Sequence, residues 1–486
     1  MIFDTYEPRE VLKNFEKISK IPRGSGNEKA ISDFIADFAR DLNMKVYQDK
    51  WHNLIIQKPA SPGYEKKAPV VLQAHLDMVC EKNADTEHDF TTDPIDIYVD
   101  GDLIKARGTT LGADNGIGVS IGMALLEGDY AHPPLEIVFT TEEESGMGGA
   151  ENLSISHITG LQMFNLDTAD DTTFIMGCAA GSMVEFDIPT QRIEVAEGQT
   201  ICKIMVKGLK GGHSGSDINK ERGNANQILG LLLSSVSSAV EMNLSSISGG
   251  MKINAIPREA QAVITFSALN VNKAIVTLEK ARKELAAVYQ ITDPELSISW
   301  DFDIYTGIED EKLTALSALS GQKVISSLLL MPSGVRAMST ELSGVVASSC
   351  NLGVVETHDG FIRILAMPRS ASEPYSHHME CVIGSLAKLV GATVIFSQRS
   401  PAWAFNSNSP LLKTASEAYR DVFDCEPNVV AIHAGLECGL FANRLPGLDI
   451  ISFGPNTYDM HTPDERVEIS SVGRVWTFIK TALAAL

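Results

Sequence analysis

The chain has 486 residues, of which 44% are hydrophobic and 21% are charged, as in ordinary globular proteins. A single compact core rarely exceeds roughly 250–300 residues, so we expect more than one domain. The 40 basic and 62 acidic residues give a net charge of −22, which disfavours binding to nucleic acid or to an anionic membrane. The N-terminal segment lacks the pattern of a secretory signal, and no segment reaches the ~20 apolar residues of a membrane span. We therefore expect a cytoplasmic protein with no nucleic-acid or membrane partner.

The first part of the chain alternates between helical and strand-like patterns. Apolar residues at helical spacing indicate helices, and continuous apolar runs indicate buried strands. Strands that are apolar on both faces and alternate with helices are typical of an α/β domain with a mostly parallel sheet. The predicted helices cover residues 11–18, 31–42 and 115–126, and the predicted strands cover 53–56, 69–74 and 135–141.

The pattern changes near residue 185. From there to about residue 400, several strands alternate strictly between apolar and polar residues, which indicates sheets with one face in solvent. The order of elements resembles two successive units and suggests an internal duplication. The predicted helices cover 219–240, 272–289, 311–330 and 377–390, and the predicted strands cover 200–207, 245–254, 259–267, 296–304, 344–350, 353–366 and 392–397.

After residue 400 the first pattern returns. The predicted helices are 409–422 and 470–485, and the predicted strands are 427–432 and 448–453. The simplest explanation is an insertion. We expect an α/β domain made of residues 1–186 and 399–486, with a mixed, largely parallel sheet flanked by helices, and an inserted α+β domain made of residues 187–398.

Five short segments place His, Asp or Glu side chains where strands are predicted to end. His75 follows the strand 69–74, and Asp77 can lie on the same side of the extended chain and orient the imidazole. Asp114 lies among the glycines of LGADNG, and Asp167 follows a short apolar run. The carboxyl ends of strands in an α/β sheet are the usual place for ligands.

The remaining two segments are TEEESG and MHTPDE. The adjacent carboxylates of Glu142, Glu143 and Glu144 repel one another unless cations compensate them. His461 lies in a loop that contains proline. Each segment alone is equally compatible with a turn, a helix cap or a solvated strand end. Together they supply two histidines and at least three carboxylates, a set that suits two metal ions sharing a bridging carboxylate.

With HLD, LGADNG, TEEESG, NLD and MHTPDE in this order and with this insertion, the sequence resembles the co-catalytic dizinc metallopeptidases along essentially its whole length. These include peptidase T, carboxypeptidase G and the carnosinases, and the sequence is most similar to the bacterial cytosolic aminoacyl-histidine dipeptidases. The resemblance implies hydrolysis of small peptides, in particular Xaa-His dipeptides of the carnosine type. It also implies two Zn²⁺ per subunit, for which Mn²⁺ or Co²⁺ could substitute. A homodimer formed through the inserted lid domain is implied as well.

The resemblance also assigns the metal ligands. His75 and Asp167 would hold one ion, and Glu144 and His461 would hold the other. Asp114 would bridge the two ions and would be followed by a cis peptide bond.

Other residues would act on water or substrate. Asp77 would orient His75, and Glu143 would be the general base that takes a proton from the water activated by the two zinc ions. A slip of one residue within 142–144 remains open, because all three positions are Glu.

The inserted domain and a late loop carry the remaining assignments. His213, in a glycine-rich segment, would stabilise the oxyanion from the lid or from a partner subunit. Arg369 and Asn254 match substrate-binding positions of the resembled family, and Gly435 matches a loop along the substrate backbone.

Three alternative functions remain open at this point. The chain could be a dizinc amidohydrolase that acts on N-acyl amino acids, or a peptidase of broader dipeptide and tripeptide specificity. A catalytically silent metal-binding protein is a third alternative, but it would not need Glu143 beside Glu144. The preference for histidine at the second substrate position depends on the resemblance alone.

Overall fold

The computed structural model describes residues 2–307 and 312–486. These residues form two compact units. The first comprises the chain up to Cys178, Trp403–Ala431 and Leu436–Leu486, and the second comprises Ala179–Ala402 and Ile432–Gly435. The division differs by a few residues from the predicted boundaries at 186 and 399, because strands 180–189 and 393–400 pair with each other in the second unit. The internal duplication stays a prediction.

The helices agree with the apolar spacing along most of the chain. No helix in the described part of the chain is long and apolar enough to cross a membrane. The helices are α1 (Arg9–Ile18), α2 (Lys29–Asp41), α3 (Ala113–Glu127), α4 (Gly148–Asn152), α5 (Ala225–Ala239), α6 (Val271–Tyr289), α7 (Ala318–Leu330), α8 (Glu373–Val390), α9 (Pro410–Phe423), α10 (Glu437–Arg444) and α11 (Ile469–Ala485).

The strands form one large sheet in each unit and several small sheets. They are β1 (Lys45–Gln48), β2 (Leu54–Lys58), β3 (Val70–His75), β4 (Ile97–Asp100), β5 (Leu103–Ala106), β6 (Leu135–Thr140), β7 (Gln162–Asn165), β8 (Thr173–Cys178), β9 (Ala180–Pro189), β10 (Arg192–Glu194), β11 (Gln199–Lys207), β12 (Gly212–His213), β13 (Met242–Gly249), β14 (Ala255–Ile256), β15 (Ala260–Ser267), β16 (Ser297–Ile304), β17 (Thr314–Leu316), β18 (Gly334–Met338), β19 (Val346–His358), β20 (Phe361–Ser370), β21 (Thr393–Ser400), β22 (Asn428–Ile432), β23 (Asp449–Ser452), β24 (Thr457–Tyr458) and β25 (Arg466–Glu468).

The large sheet of the first unit has the strand order β1-β2-β6-β3-β7-β23-β8-β22. Its centre is parallel: β3 pairs in parallel with β6 and β7, and β7 pairs in parallel with β23. Every residue of β3 and β6 is buried, as expected for apolar strands covered on both faces. The mixed sheet predicted from the sequence is therefore confirmed, with its parallel pairs at the centre and the antiparallel pairs β1–β2, β2–β6 and β23–β8 outside them. Because β6, β3 and β7 are adjacent, their carboxyl ends meet at one edge.

The large sheet of the second unit has the strand order β16-β11-β15-β13-β19-β20-β9-β21. The β11–β15, β13–β15 and β19–β20 pairs are antiparallel. Alternate residues of β11 are buried, so one face of that strand packs on a helical layer and the other faces away from the core. The apolar core of this unit combines side chains from α5, α6, α7 and α8 with the inner face of the sheet. This is the α+β arrangement that the alternating pattern predicts.

The predicted strands 344–350 and 353–366 are wrong in their boundaries. A single strand, β19, runs through the predicted break, and a register shift between Leu352 and Val354 accommodates Gly353. The hairpin turn lies instead at Asp359 and Gly360, where Gly360 has a φ of 80°. Asp-Gly is a strong two-residue hairpin signal, and the sequence analysis assigned it to the middle of a strand.

Two predicted helices begin later than their apolar patterns indicate. The helix predicted at 219–240 starts at Ala225, because the Asn224 side chain accepts hydrogen bonds from the backbone N–H groups of Asn226 and Gln227. The helix predicted at 311–330 starts at Ala318, after the short strand β17 and the N-cap Ser317. Residue 311 lies outside the described residues.

Candidate active site

The five predicted ligand residues converge at one edge of the first unit. His75 ends β3, Glu144 follows β6, and Asp167 follows β7, so the three come from adjacent parallel strands. Asp114 lies at the start of α3, and His461 lies in the loop after β24. All five line a single cleft of about 250 Å³, together with Glu143. The sheet topology explains how residues so distant in sequence meet there.

Asp114 lies between the two histidines. Its Oδ1 atom is 3.1 Å from Nε2 of His75, and its Oδ2 atom is 3.3 Å from Nε2 of His461. The peptide bond between Asp114 and Asn115 is cis, as the resemblance implies. The Asp114 carboxylate therefore bridges the two histidines, with one oxygen facing each imidazole.

Each histidine also faces a second carboxylate. Nε2 of His75 is 3.4 Å from Oδ1 of Asp167, and Nε2 of His461 is 3.0 Å from Oε1 of Glu144. The side chain of Asn115 donates a hydrogen bond of 2.9 Å to Asp167 and orients that carboxylate. The pairs His75–Asp167 and His461–Glu144 are the pairs that the resemblance assigns to the two ions.

The cluster has the chemistry of a metal site. Ligand atoms of His75, Asp114 and Glu144 all lie within 4.8 Å of one another. The Oε1 atom of Glu144 is buried and, apart from Nε2 of His461 at 3.0 Å, has no polar partner among the described residues, whereas buried carboxylate oxygens normally accept hydrogen bonds. Imidazole and carboxylate are also the N/O ligands that zinc takes in catalytic sites. The residues therefore fit a bound divalent cation.

The ionisable groups of the cluster influence one another strongly. Burial raises the pKa of Asp167 to about 6, and the nearby carboxylates of Asp114 and Glu144 add to the increase. Hydrogen bonds to Asp114 and Glu144 raise the pKa of His461 to about 10. A divalent cation would reverse both effects, because it stabilises ionised carboxylates and requires neutral imidazole.

Asp77 connects His75 to the acidic turn. It is fully buried, and its Oδ1 lies 3.3 Å from Nδ1 of His75. Its two oxygens accept hydrogen bonds of 3.1 Å from the backbone N–H groups of Glu143 and Glu144, and a third hydrogen bond from Ser25. Burial alone would raise the pKa of Asp77, but contacts with His75, Ser25 and the Glu143 N–H lower it to about 2. Asp77 is therefore an ionised group that orients both His75 and the turn.

The three adjacent glutamates differ in their surroundings. Glu144 faces His461, and Glu143 lines the cleft, whereas an oxygen of Glu142 lies close to the Gly148 backbone. Burial raises the pKa of Glu143 well above its usual value, and the carboxylates of Asp167, Glu437 and Glu144 contribute to the increase. These positions favour Glu144 as the ligand and Glu143 as the base over a register slipped by one residue.

Two buried charged residues that the sequence analysis did not single out hold the metal-site loops. Arg23 donates hydrogen bonds to the backbone carbonyls of Leu76, Asp77 and Gly112. The carboxylate of Glu465 accepts hydrogen bonds from the backbone N–H groups of residues 111–114. Glu465 lies in the MHTPDE motif, whereas Arg23 lies between the predicted helices 11–18 and 31–42, outside the five motifs.

A second buried carboxylate, Glu437, lies beneath the same edge of the sheet. Its Oε2 accepts hydrogen bonds from Gln73 and Thr140, at 2.6 and 2.8 Å, and its Oε1 has no partner. Burial raises the pKa of Glu437 to about 8. In the described part of the chain, neither a hydrogen bond nor an ion pair joins Glu437 to the five ligand residues.

The other predicted site residues belong to the second unit. His213 pairs with Ala255 between β12 and β14, which places Asn254 at the adjoining turn, where it is exposed. Nδ1 of His213 accepts hydrogen bonds from the backbone N–H groups of Gly215 and Ser216, at 3.3 and 3.2 Å. The ring proton therefore resides on Nε2, which can donate. Burial and the charge of Arg369 lower the pKa of His213, so the neutral form is favoured.

Arg369 and Gly435 lie in the same unit. Arg369, near the end of β20, is only 7% exposed, and its Nε atom has no hydrogen-bond partner. Such a buried, unpaired guanidinium donor is suited to bind an anion. Gly435 is half-buried in the turn that precedes α10.

His433 lies two residues before Gly435, in the segment HAGLECG, and was not predicted from the sequence. Its Nε2 lies 2.7 Å from Oγ of Ser349, and burial together with the charge of Arg369 lowers its pKa to about 4. A single histidine in an unassigned turn gives no signal of burial, so only the fold identifies it.

Comparisons with known proteins agree with this geometry. The model of "Peptidase family M20/M25/M40" matches residues 71–485. The chain is 39% identical to the cytosol non-specific dipeptidase of Escherichia coli (strain K12), over 98% of this chain and 97% of that protein. The structure superimposes on the aminoacylhistidine dipeptidase of Vibrio alginolyticus with a TM-score of 0.93 and 36% identity, covering 100% and 98% of the two chains.

A more distant comparison shows the fold alone. A tripeptidase from Staphylococcus aureus matches with a TM-score of 0.55 and 16% identity, covering 99% of this chain and 98% of the other. The family match and the extent of the similarity to the Escherichia coli protein agree with each other. The chain belongs to the peptidase family M20/M25/M40.

Proposed function

We propose that this metallopeptidase hydrolyses dipeptides at a centre of two zinc ions and prefers substrates with histidine at the second position. The observation that carries the proposal is Asp114, whose two oxygens face His75 and His461 separately. The names of the Escherichia coli and Vibrio relatives support a dipeptidase, and the Vibrio name supports the preference for histidine.

Five side chains would hold the two ions. His75 and Asp167 would bind one, Glu144 and His461 the other, and Asp114 both, in keeping with the pairs of short distances. When bound, the ions would lower the pKa of water and stabilise negative charge on the substrate.

Glu143 is the base of the proposed reaction. It lies in the wall of the cleft, and its backbone is held by Asp77. A carboxylate at this position can take a proton from the attacking water and deliver it to the leaving amine.

Residues of the second unit would bind the remainder of the substrate. His213, neutral and protonated on Nε2, would donate a hydrogen bond to the oxyanion. Arg369, with its buried unpaired Nε, would bind the free carboxylate of the dipeptide. Asn254 and Gly435 would contact the substrate on the basis of their motif positions alone.

The decisive experiment combines metal analysis with a substrate panel. The purified protein is analysed for bound metal and tested on Xaa-His dipeptides, dipeptides that lack histidine, tripeptides and N-acyl amino acids. We expect two zinc ions per chain and the highest kcat/KM on Xaa-His dipeptides. Equal rates on all dipeptides would support a non-specific dipeptidase, as in the name of the Escherichia coli relative. Preferential cleavage of N-acyl amino acids would refute the proposal.

We also propose that the protein is a cytoplasmic homodimer that associates through the second unit. Large apolar side chains are strongly exposed on this unit, among them Leu269 at 95%, Ile291 at 83% and Leu389 at 80%. Burial of such side chains in an interface would remove apolar surface from water and favour association. Light scattering at several concentrations tests the association, and a monomer throughout would refute it. The name of the Escherichia coli relative supports the location in the cytosol.

A further inference from the structure

Glu465 makes an unusual set of contacts with the loop that leads into α3. Its Oε2 accepts hydrogen bonds from the N–H groups of Leu111 and Gly112, at 2.8 and 2.9 Å. Its Oε1 accepts them from Ala113 and Asp114, at 2.8 and 3.2 Å. The side chain is 3% exposed. One buried carboxylate thus binds four consecutive backbone donors at the N-terminal end of a helix, where negative charge is favourable.

Arg23 holds the same loop through its carbonyl groups. It donates from Nη1 to the carbonyls of Leu76 and Asp77, at 2.9 and 3.1 Å, and from Nη2 to the carbonyl of Gly112. Arg23 is also 3% exposed. Gly112 therefore donates its N–H to Glu465 and accepts at its carbonyl from Arg23.

The Arg23 contacts require a glycine at position 112. Gly112 has a φ of 69°, and a Cβ atom there would lie 2.5 Å from Nη2 of Arg23. Any larger residue would displace the guanidinium from the loop. The loop and the two charged side chains therefore form one packed unit.

The position of this unit connects two of the metal-site segments. Arg23 contacts the segment that carries His75 and Asp77, and Glu465 contacts the backbone of Asp114 itself. Arg23 also contributes a positive charge near the carboxylates of Asp77 and Asp114. Residues that orient the metal ligands through hydrogen bonds, without touching the metal, affect the affinity for the metal. Their loss typically lowers this affinity about 10–100-fold.

We propose that Arg23 and Glu465 are positioning residues that together hold Asp114 where its two oxygens face His75 and His461. Neither side chain touches the substrate or the metal ions in this role. The inference rests on the proposed two-metal centre. It predicts that the affinity for both ions, and not only the stability of the fold, depends on this pair.

The test measures Zn²⁺ affinity in two conservative variants, E465Q and R23K. In E465Q one of the two oxygens becomes an NH₂ group that faces two backbone N–H donors, so two of the four hydrogen bonds are lost. In R23K the positive charge remains, but lysine lacks the planar guanidinium group whose two Nη atoms donate to three carbonyl groups. Competition with a chromophoric chelator gives both zinc dissociation constants, and thermal unfolding in EDTA gives the stability of the metal-free protein.

The chain offers a matched control for each variant. Glu136, also 3% exposed, accepts backbone hydrogen bonds from Thr159 and Gly160 at a turn away from the cleft. Arg444 donates to the carbonyls of Ala150 and Leu153. E136Q and R444K therefore report the cost of the same chemical changes in a buried glutamate and a half-buried arginine that bind backbone groups outside the metal site.

We expect E465Q and R23K to bind both zinc ions about 10–100-fold more weakly than the wild type, while E136Q and R444K stay within twofold. Wild-type zinc affinity in a folded E465Q, at a stability similar to that of E136Q, would overturn the inference. If E465Q does not fold, R23K decides by the same criterion. If neither E465Q nor R23K folds while both controls fold, Arg23 and Glu465 contribute to the stability of the fold, and this result would also overturn the inference. A wild-type protein that binds no zinc would instead refute the proposed function.

Discussion

Replacing Glu143 by glutamine separates proton transfer from metal binding at this site. Gln has the shape of Glu and keeps the backbone N–H that donates to Asp77. It removes a buried negative charge that is repelled by Asp167, Glu437 and Glu144, so the free energy of unfolding should not fall. It also removes the proposed base, whose contribution in enzymes is typically about 10²–10⁴-fold. At about 1.36 kcal/mol per factor of ten, the activation free energy should rise by about 2.7–5.4 kcal/mol.

The assay measures released histidine from an Xaa-His dipeptide under saturating conditions, with bound zinc quantified in the same samples. Glu142→Gln is the matched control, because Glu142 lies next in the sequence and its carboxylate points to the Gly148 turn. We expect two zinc ions in both variants and a lower kcat in Glu143→Gln alone. A kcat within tenfold of the wild type at full zinc content would remove Glu143 from the mechanism. A large loss in Glu142→Gln instead would show that the register is slipped.

Three further predictions concern other parts of the molecule. Asp114→Asn should lower the affinity for both metal ions, because each oxygen faces one histidine; metal analysis that still finds two tightly bound ions would contradict the bridging role. If His213 acts across subunits, mixing inactive His213→Ala and Glu143→Ala proteins should restore part of the activity; no recovery after verified subunit exchange would show that it acts within one chain. The folded pKa of His433 is about 4, below the ordinary 6.5, so on acidification the unfolded chain takes up this proton first. The free energy of unfolding should therefore fall between about pH 6.5 and pH 4, by roughly 3 kcal/mol, and His433→Asn should lack this contribution; superimposable stability profiles of the two proteins would be inconsistent with the buried neutral imidazole.

Sequence patterns located most secondary structure because the apolar runs are long and regular. Strands β3 and β6 are buried along their whole length, in agreement with their mainly apolar sequences. The prediction failed where a local polar signal was misread. The break predicted at residues 351–352, just before Gly353, lies inside β19, which absorbs the extra residue in a register shift. Whether a glycine marks a turn or a bulge depends on the partner strand, which the local sequence does not contain.

The site residues divide in a similar way. The five proposed ligands could be found because few side chains bind zinc, among them His, Asp and Glu, and because most of the five lie close after predicted strands. Arg23 and Glu465 could not be found by that rule, since they act on backbone groups of other segments. Every residue except proline offers a backbone N–H and a C=O group whatever its side chain, so the sequence of a loop does not identify the side chains that bind its backbone.

The discontinuous path of the first unit has a consequence for the newly made protein. Asp167 and His461 both line the cleft, and roughly 300 residues, including nearly the whole second unit, must be synthesised between them. At about 5–20 residues per second this takes on the order of 15–60 seconds, during which the growing chain lacks the last of the five side chains. If activity needs all five side chains, as proposed, the protein gains the capacity to cut peptides only after His461 has been made.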